Sequence, residues 1–82
     1  MSKEPRPLFD VEKLTQRERG IMQFIVAGLS TIEIAKRLDL SPKTVETHRG
    51  HIHKKLGTRT SLDILRRGLL AGVLTLRDLV IY

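Results

Sequence analysis

Three histidines fall within six residues, His48, His51 and His53, and they are the side chains of this 82-residue sequence best suited to metal ligation or acid–base work. Their pattern argues against both. His51 and His53 lack the four-residue spacing that puts two imidazoles on one helix face, and no tight carboxylate cluster joins them. The chain has no Cys, which excludes thiolate metal sites and a disulfide framework. His48, three residues after Val45 and four before Ile52, reads as a packed, hydrogen-bonded core residue. No nucleophile–base–orienter set and no phosphate-cradling Gly-rich loop is visible, so the sequence predicts no enzyme, no metal site and no cofactor.

Recognition chemistry is better supplied. At about 100° per residue, Lys43, Thr47, Gly50 and Lys54 share one arc of a helix, flanked by Glu46 and His51, and the arc holds no large apolar group. Such a face can donate and accept hydrogen bonds while approaching base edges closely. The charge agrees. Between Lys36 and Arg67 there are nine basic and three acidic residues, an excess equal to the +6 of the whole chain. A concentrated basic region on a small domain favours a polyanionic partner.

The elements that must position these residues announce themselves by four helix-start signals. Thr15-Gln16-Arg17-Glu18 is a capping box, and the helix it opens should run to about Ala27 before Gly28, with Ile21, Phe24 and Ile25 on one face. Ser30-Thr31-Ile32-Glu33 is a second box, flanked by a Leu29–Ile34 staple; its helix should end near Asp39, a residue that tolerates left-handed geometry. Ser41 caps a third helix with Pro42 at its first position, running to Leu56 and stopping at Gly57. Thr60-Ser61-Leu62-Asp63 opens a fourth, to about Ala71 before Gly72. Thr75 and Asp78 could cap a last short turn.

The second and third helices are joined only by Asp39-Leu40-Ser41, and small Ala35 sits where they must cross closely. This is helix-turn-helix spacing, which holds the second helix of the pair out to enter a major groove. The fold class is therefore all-α, a compact four-helix domain containing a helix-turn-helix. Residues 1–10, with Pro5 and Pro7, read as a flexible leader or linker end; 11–74 as the domain, with the helix-turn-helix at 30–56; and 75–82 as an apolar tail. A chain this short leaves no room for an extensive catalytic cleft. It has no signal-peptide pattern and no apolar run near the ~18 residues of a membrane span, so the expected location is cytoplasmic, with no membrane partner.

From Leu14 to about Leu65 the chain resembles the LuxR-type helix-turn-helix domain, the output module of NarL/FixJ-type response regulators and of quorum-sensing regulators. The residues that carry this are Leu14-Thr15-x-Arg17-Glu18, Ala27-Gly28-x-Ser30-x-x-Glu33-Ile34-Ala35-x-x-Leu38, Ser41-x-x-Thr44-Val45-x-x-His48 and Ile52-x-x-Lys55-Leu56-Gly57. The resemblance implies a C-terminal effector domain that binds double-stranded DNA as a homodimer and regulates transcription, either behind an upstream receiver or sensor domain in the full-length protein or as a small stand-alone member of the family. The sequence departs from the family pattern at Gly20, often acidic; at Thr31-Ile32, commonly Asn-Lys or Asn-Arg; at Glu46, frequently Lys; and at Ser61, often Arg.

Residue roles follow. Helix 42–56 is the recognition helix, with Glu46, Thr47, Gly50 and His51 reading bases; Ser30, Thr31 and Thr44, through N–H groups and hydroxyls at helix starts, and Lys43 and Lys54 contact the DNA backbone, and Lys55 either does so or pairs locally. Arg49 and Arg66 are further cations in reach of phosphate. Glu46 alternatively pairs along its own helix with Lys43 or Arg49. In the fourth helix Leu62, Leu65, Leu69 and Val73 form the expected core face, which leaves Ile64, Gly68 and Ala71 as a small-residue dimer stripe. Two rival readings are a sigma-factor region 4-like promoter-binding domain and a helical protein–protein interaction module.

Overall fold

The computed structural model describes residues 10–79. A short 3₁₀ turn at Val11–Lys13 precedes α1 (Gln16–Val26), α2 (Thr31–Leu38), α3 (Pro42–Leu56) and α4 (Ser61–Leu70), and a second 3₁₀ turn follows at Leu76–Leu79. The described residues contain no strand. The expected leader, 1–10, lies outside the described residues except for Asp10, as does the end of the tail, 80–82.

Each helix begins where its cap chemistry dictates. The Thr15 hydroxyl accepts from the Glu18 amide at 3.1 Å, and the Glu18 carboxylate accepts in return from the Thr15 amide at 2.9 Å. Ser30 and Glu33 repeat the exchange at 3.1 and 2.8 Å. Ser41 and Thr60 cap α3 and α4, with Pro42 at the first position of α3. Each such cap stabilises its helix by ~1 kcal/mol. The terminations are equally local. Asp39 ends α2 with φ 57° and Gly57 ends α3 with φ 70°, both in the left-handed region. Asp39 holds this conformation without the freedom of glycine, and it turns the chain from α2 into α3 within three residues.

The core gathers Leu14, Ile21, Met22, Ile25 and Val26 from the α1 side, Ile34 and Ala35 from α2, Val45, Ile52 and Leu56 from α3, and Ile64 and Leu74 from the C-terminal part. Helix α1 packs on both α3 and α4, and α2 packs on α3. Leu29, the staple residue before α2, and Leu40, which precedes the cap of α3, lie partly buried against this core. Burial of Val45, Ile52 and Leu56 fixes the rotation of α3 about its axis and turns the opposite arc outward.

The fourth helix corrects the sequence reading. Its inward residues are Ile64, 0% exposed, and Gly68; Leu62 is 70% exposed, Leu69 and Val73 are exposed, and Leu65 is half-buried. The two faces are thus exchanged except at Leu65, which packs against the core as expected, and Ile64 and Gly68 are not available as a dimer stripe; only Ala71, at the helix end, is exposed. The physical reason is space. After Gly72 the chain folds back, the Val73 and Leu74 amides both bond the Gly68 carbonyl, and Leu74 sits on Gly68 so closely that a methyl there would lie 2.6 Å from its Cγ. A leucine at 68 would not fit, so the leucine stripe faces out.

Candidate nucleic-acid interface

The surface centred on α3 is built by three supports. The Asp39 turn holds the N-terminal end of α3 against α2. At the other end, the Lys55 ammonium donates to Glu18 Oε1 at 2.7 Å, tying the last turn of α3 to the first turn of α1. Glu18 is 4% exposed; the bond from Lys55 and then that from the Thr15 amide hold its carboxyl below the usual carboxylate range, against the opposing effect of burial. The third support joins α3 to the start of α4: Arg49 donates to the Ser61 hydroxyl at 3.2 Å, and His53 Nδ1 lies 2.8 Å from the buried Thr58 hydroxyl.

The expected DNA-facing residues sort themselves on this frame. Lys43, Thr47, Gly50 and Lys54 are exposed on one side of α3, and nothing lies within 4 Å of where a Gly50 side chain would begin. Thr47 donates its hydroxyl proton to the Lys43 carbonyl at 3.1 Å, so its methyl and its oxygen lone pairs remain for contact. His51 is exposed, with Nδ1 3.9 Å from Glu18 Oε2. The Thr44 hydroxyl shares a 2.9 Å hydrogen bond with the capping Ser41 hydroxyl, and Ser30 accepts from Glu33.

Three expectations change. Lys55 is bonded to Glu18 and is only partly exposed, so its charge is taken up by an internal carboxylate. Thr31 donates its one hydroxyl proton to Glu46 Oε2 at 2.7 Å, so its side chain has no proton left to give a phosphate oxygen. Glu46 accordingly bonds across to α2, with Arg49 of its own helix turned to Ser61. A fourth concerns His48: it is packed and half-buried, but its buried Nδ1 has no hydrogen-bond partner. Arg66 and Arg67 both meet Asp63, at 3.7 and 3.1 Å.

One basic residue escaped the sequence reading. Lys13 lines an open cleft with His51, Lys54 and Lys55. It lies on the turn before α1, where Arg19 holds the Val11 carbonyl at 3.2 Å, and no helical periodicity links it to α3. Among the described residues no group of three or more His, Asp or Glu side chains is placed to hold a metal, and no helix is long and apolar enough to cross a membrane.

His53 sets a pH dependence. Burial first, and then the Arg49 charge, lower its pKa from 6.5, with Asp63 partly opposing. The unfolded chain therefore takes up this proton more readily than the folded one. The stabilisation is complete above pH 6.5 and is lost as pH falls from there through the lower folded value. Urea midpoints measured from pH 7.5 downward should decline in this window for the wild type and decline less for His53→Asn. Identical profiles for the two would contradict the assignment.

Comparison with known proteins places these features in a wider set. The family described as "Bacterial regulatory proteins, luxR family" matches residues 12–67. The chain is 45% identical over 64 residues to the uncharacterized response regulatory protein YgeK of Escherichia coli (strain K12), covering 78% of this chain and 44% of that protein. It is 52% identical over 52 residues to the transcriptional regulatory protein TdiR of Thauera aromatica, covering 63% and 23% of the two chains. The crystal structure of full-length FixJ from B. japonicum superposes with a TM-score of 0.70 at 35% identity, over 79% of this chain and 32% of that one. The chain thus spans less than half the length of each of these relatives.

Proposed function

The chain belongs to the luxR family of bacterial regulatory proteins, which is a DNA-binding domain of transcription regulators and not an enzyme, and from that premise we propose that α3 enters the major groove of duplex DNA and reads a specific site. One observation carries this reading: the side of α3 opposite Val45, Ile52 and Leu56 is solvent-facing, free of large apolar groups, and edged by the exposed cations Lys43 and Lys54. Family membership sets aside the sigma-factor-like and protein–protein readings.

Base contacts fall to Glu46, Thr47, Gly50 and His51. Thr47 presents its methyl to thymine, Gly50 permits close approach, and Glu46 accepts from a cytosine amino group. Backbone contacts fall to Lys43 and Lys54, to the hydroxyls of Ser30 and Thr44, and to Lys13 on the neighbouring cleft. Thr31 contributes its main-chain N–H instead of its hydroxyl, because the first-turn amides of α2 have no intrahelical acceptor.

The domain works as a homodimer on paired half-sites about one DNA turn apart, joined through the outward leucines of α4. Leu62, Leu69, Leu70 and Val73 are all exposed on or just after that helix, an apolar concentration that a lone domain has no use for. In a longer regulator the domain is the output module of an upstream receiver or sensor domain and acts in the cytoplasm, where its DNA lies. Selection of sites from a random duplex pool tests the whole reading. It should return a two-fold symmetric pair of half-sites; recovery of no enriched sequence would refute specific readout, and an unpaired site would refute the dimer.

A further inference from the structure

We propose that Thr31 is a positioning residue that fixes the base preference of Glu46. The proposal rests on the reading of α3 as the groove-entering helix, and it adds a determinant that lies on the other helix of the pair.

The observation is the bond from Thr31 Oγ1 to Glu46 Oε2, 2.7 Å long and joining residues fifteen apart in sequence. It links the first residue of α2 to the fifth of α3 across the turn at Asp39. Glu46 is exposed, and an exposed glutamate otherwise samples many rotamers at little cost. Here the alternatives are restricted. Arg49, which lies one turn on, donates to Ser61 and does not draw the carboxylate along α3. The first turn of α2, whose amides carry the positive end of the helix dipole, favours the negative charge beside Thr31.

The consequence is a carboxylate held at the edge of the reading face with one lone pair used. Oε1 stays free, and both oxygens present only acceptors. An acceptor fixed in place rewards the amino group of cytosine and penalises guanine O6 and N7, which are themselves acceptors. A carboxylate free to swing would swing away from the wrong base and lose that penalty. Holding it still is therefore what turns Glu46 into a discriminator, and the threonine hydroxyl does the holding without meeting the base. Any hydroxyl at 31 should serve, and an isosteric methyl should not.

The test titrates the chain against duplexes in which every half-site base pair is varied in turn, using Glu46→Gln, Thr31→Val, Thr31→Ser and the double variant Thr31→Val/Glu46→Gln, with thermal unfolding to confirm that each variant is folded. Glu46→Gln is expected to relax preference at one base pair by about tenfold. Thr31→Val should relax preference at that same pair by about threefold or more and leave the other pairs and the salt dependence unchanged, Thr31→Ser should keep wild-type preference, and the double variant should be no more relaxed than Glu46→Gln alone. Full discrimination in Thr31→Val beside loss in Glu46→Gln would overturn the positioning role and leave Glu46 as an unaided reader. A uniform loss of affinity in Thr31→Val with a shallower salt slope would overturn it in favour of a direct phosphate contact. Unchanged preference in every variant would overturn it together with base reading by Glu46. Loss of salt-dependent binding by the wild type itself would mark failure of the DNA-binding reading.

Discussion

Replacing Ile64 with alanine is expected to destabilise the domain by ~3 kcal/mol, whereas Leu62→Glu, two residues earlier, is expected to leave stability nearly unchanged and to abolish cooperative binding to paired half-sites. Ile64 is fully enclosed where α4 meets α1, in the core to which Leu74 also belongs. Truncation removes buried methylene groups and leaves a cavity that a helix pinned by the Leu74–Gly68 contact cannot collapse into. Leu62 is 70% exposed in the first turn of α4, where a carboxylate is favoured by the helix dipole. In a dimer joined through the leucine face, that carboxylate would be desolvated without a partner, and paired-site affinity should fall about tenfold or more while single half-site affinity holds. Urea unfolding separates the first effect from the second, and titrations on one-site and two-site duplexes read the second. Intact cooperativity in Leu62→Glu would place the dimer contact elsewhere.

The second large effect separates two adjacent lysines. Lys54 is exposed on the reading side of α3; Lys55 is bonded to Glu18. If Lys54 neutralises a phosphate, Lys54→Gln should reduce the log–log dependence of affinity on salt by about 0.9 per bound protomer and leave stability within about 0.5 kcal/mol of wild type. Lys55→Met should do the reverse. It keeps the alkyl stem but strands a carboxylate that is 4% exposed, at a cost of ~2 kcal/mol, with little change in the salt slope of the folded protein. Equal salt slopes for wild type and Lys54→Gln would remove Lys54 from the backbone contacts, and a wild-type stability for Lys55→Met would show that Glu18 does not need it.

What the sequence made legible follows the range of the interactions. The helix boundaries rest on caps that reach three residues: Thr15 to Glu18, Ser30 to Glu33, Ser41 to Thr44 and Thr60 to Asp63. Asp39 and Gly57 end their helices by a left-handed turn of the backbone. Such signals are local and survive in a string of letters, and the outward arc of α3 was legible for the same reason. The rotation of α4 was not. Three well-spaced leucines and Val73 are a stronger periodic signal than Ile64 and Gly68, and only the return of Leu74 onto Gly68 decides between the faces. Glu18 was legible as a capping residue, but its bond to Lys55 spans 37 positions and its other role was hidden. The Thr31–Glu46 bond and the place of Lys13 depend likewise on how elements meet.

The double duty of Glu18 bears on how the domain comes apart. One oxygen accepts both the Thr15 amide at the start of α1 and the Lys55 ammonium at the end of α3. Helix ends ordinarily fray by themselves, each at its own small free energy. Here, unwinding the last turn of α3 withdraws the cation from an enclosed carboxylate, and unwinding the first turn of α1 withdraws the carboxylate from the cation. Neither end can open without weakening the other, so the two turns form one opening unit, and their amide hydrogens should exchange with solvent together although Glu18 and Lys55 lie 37 positions apart in sequence.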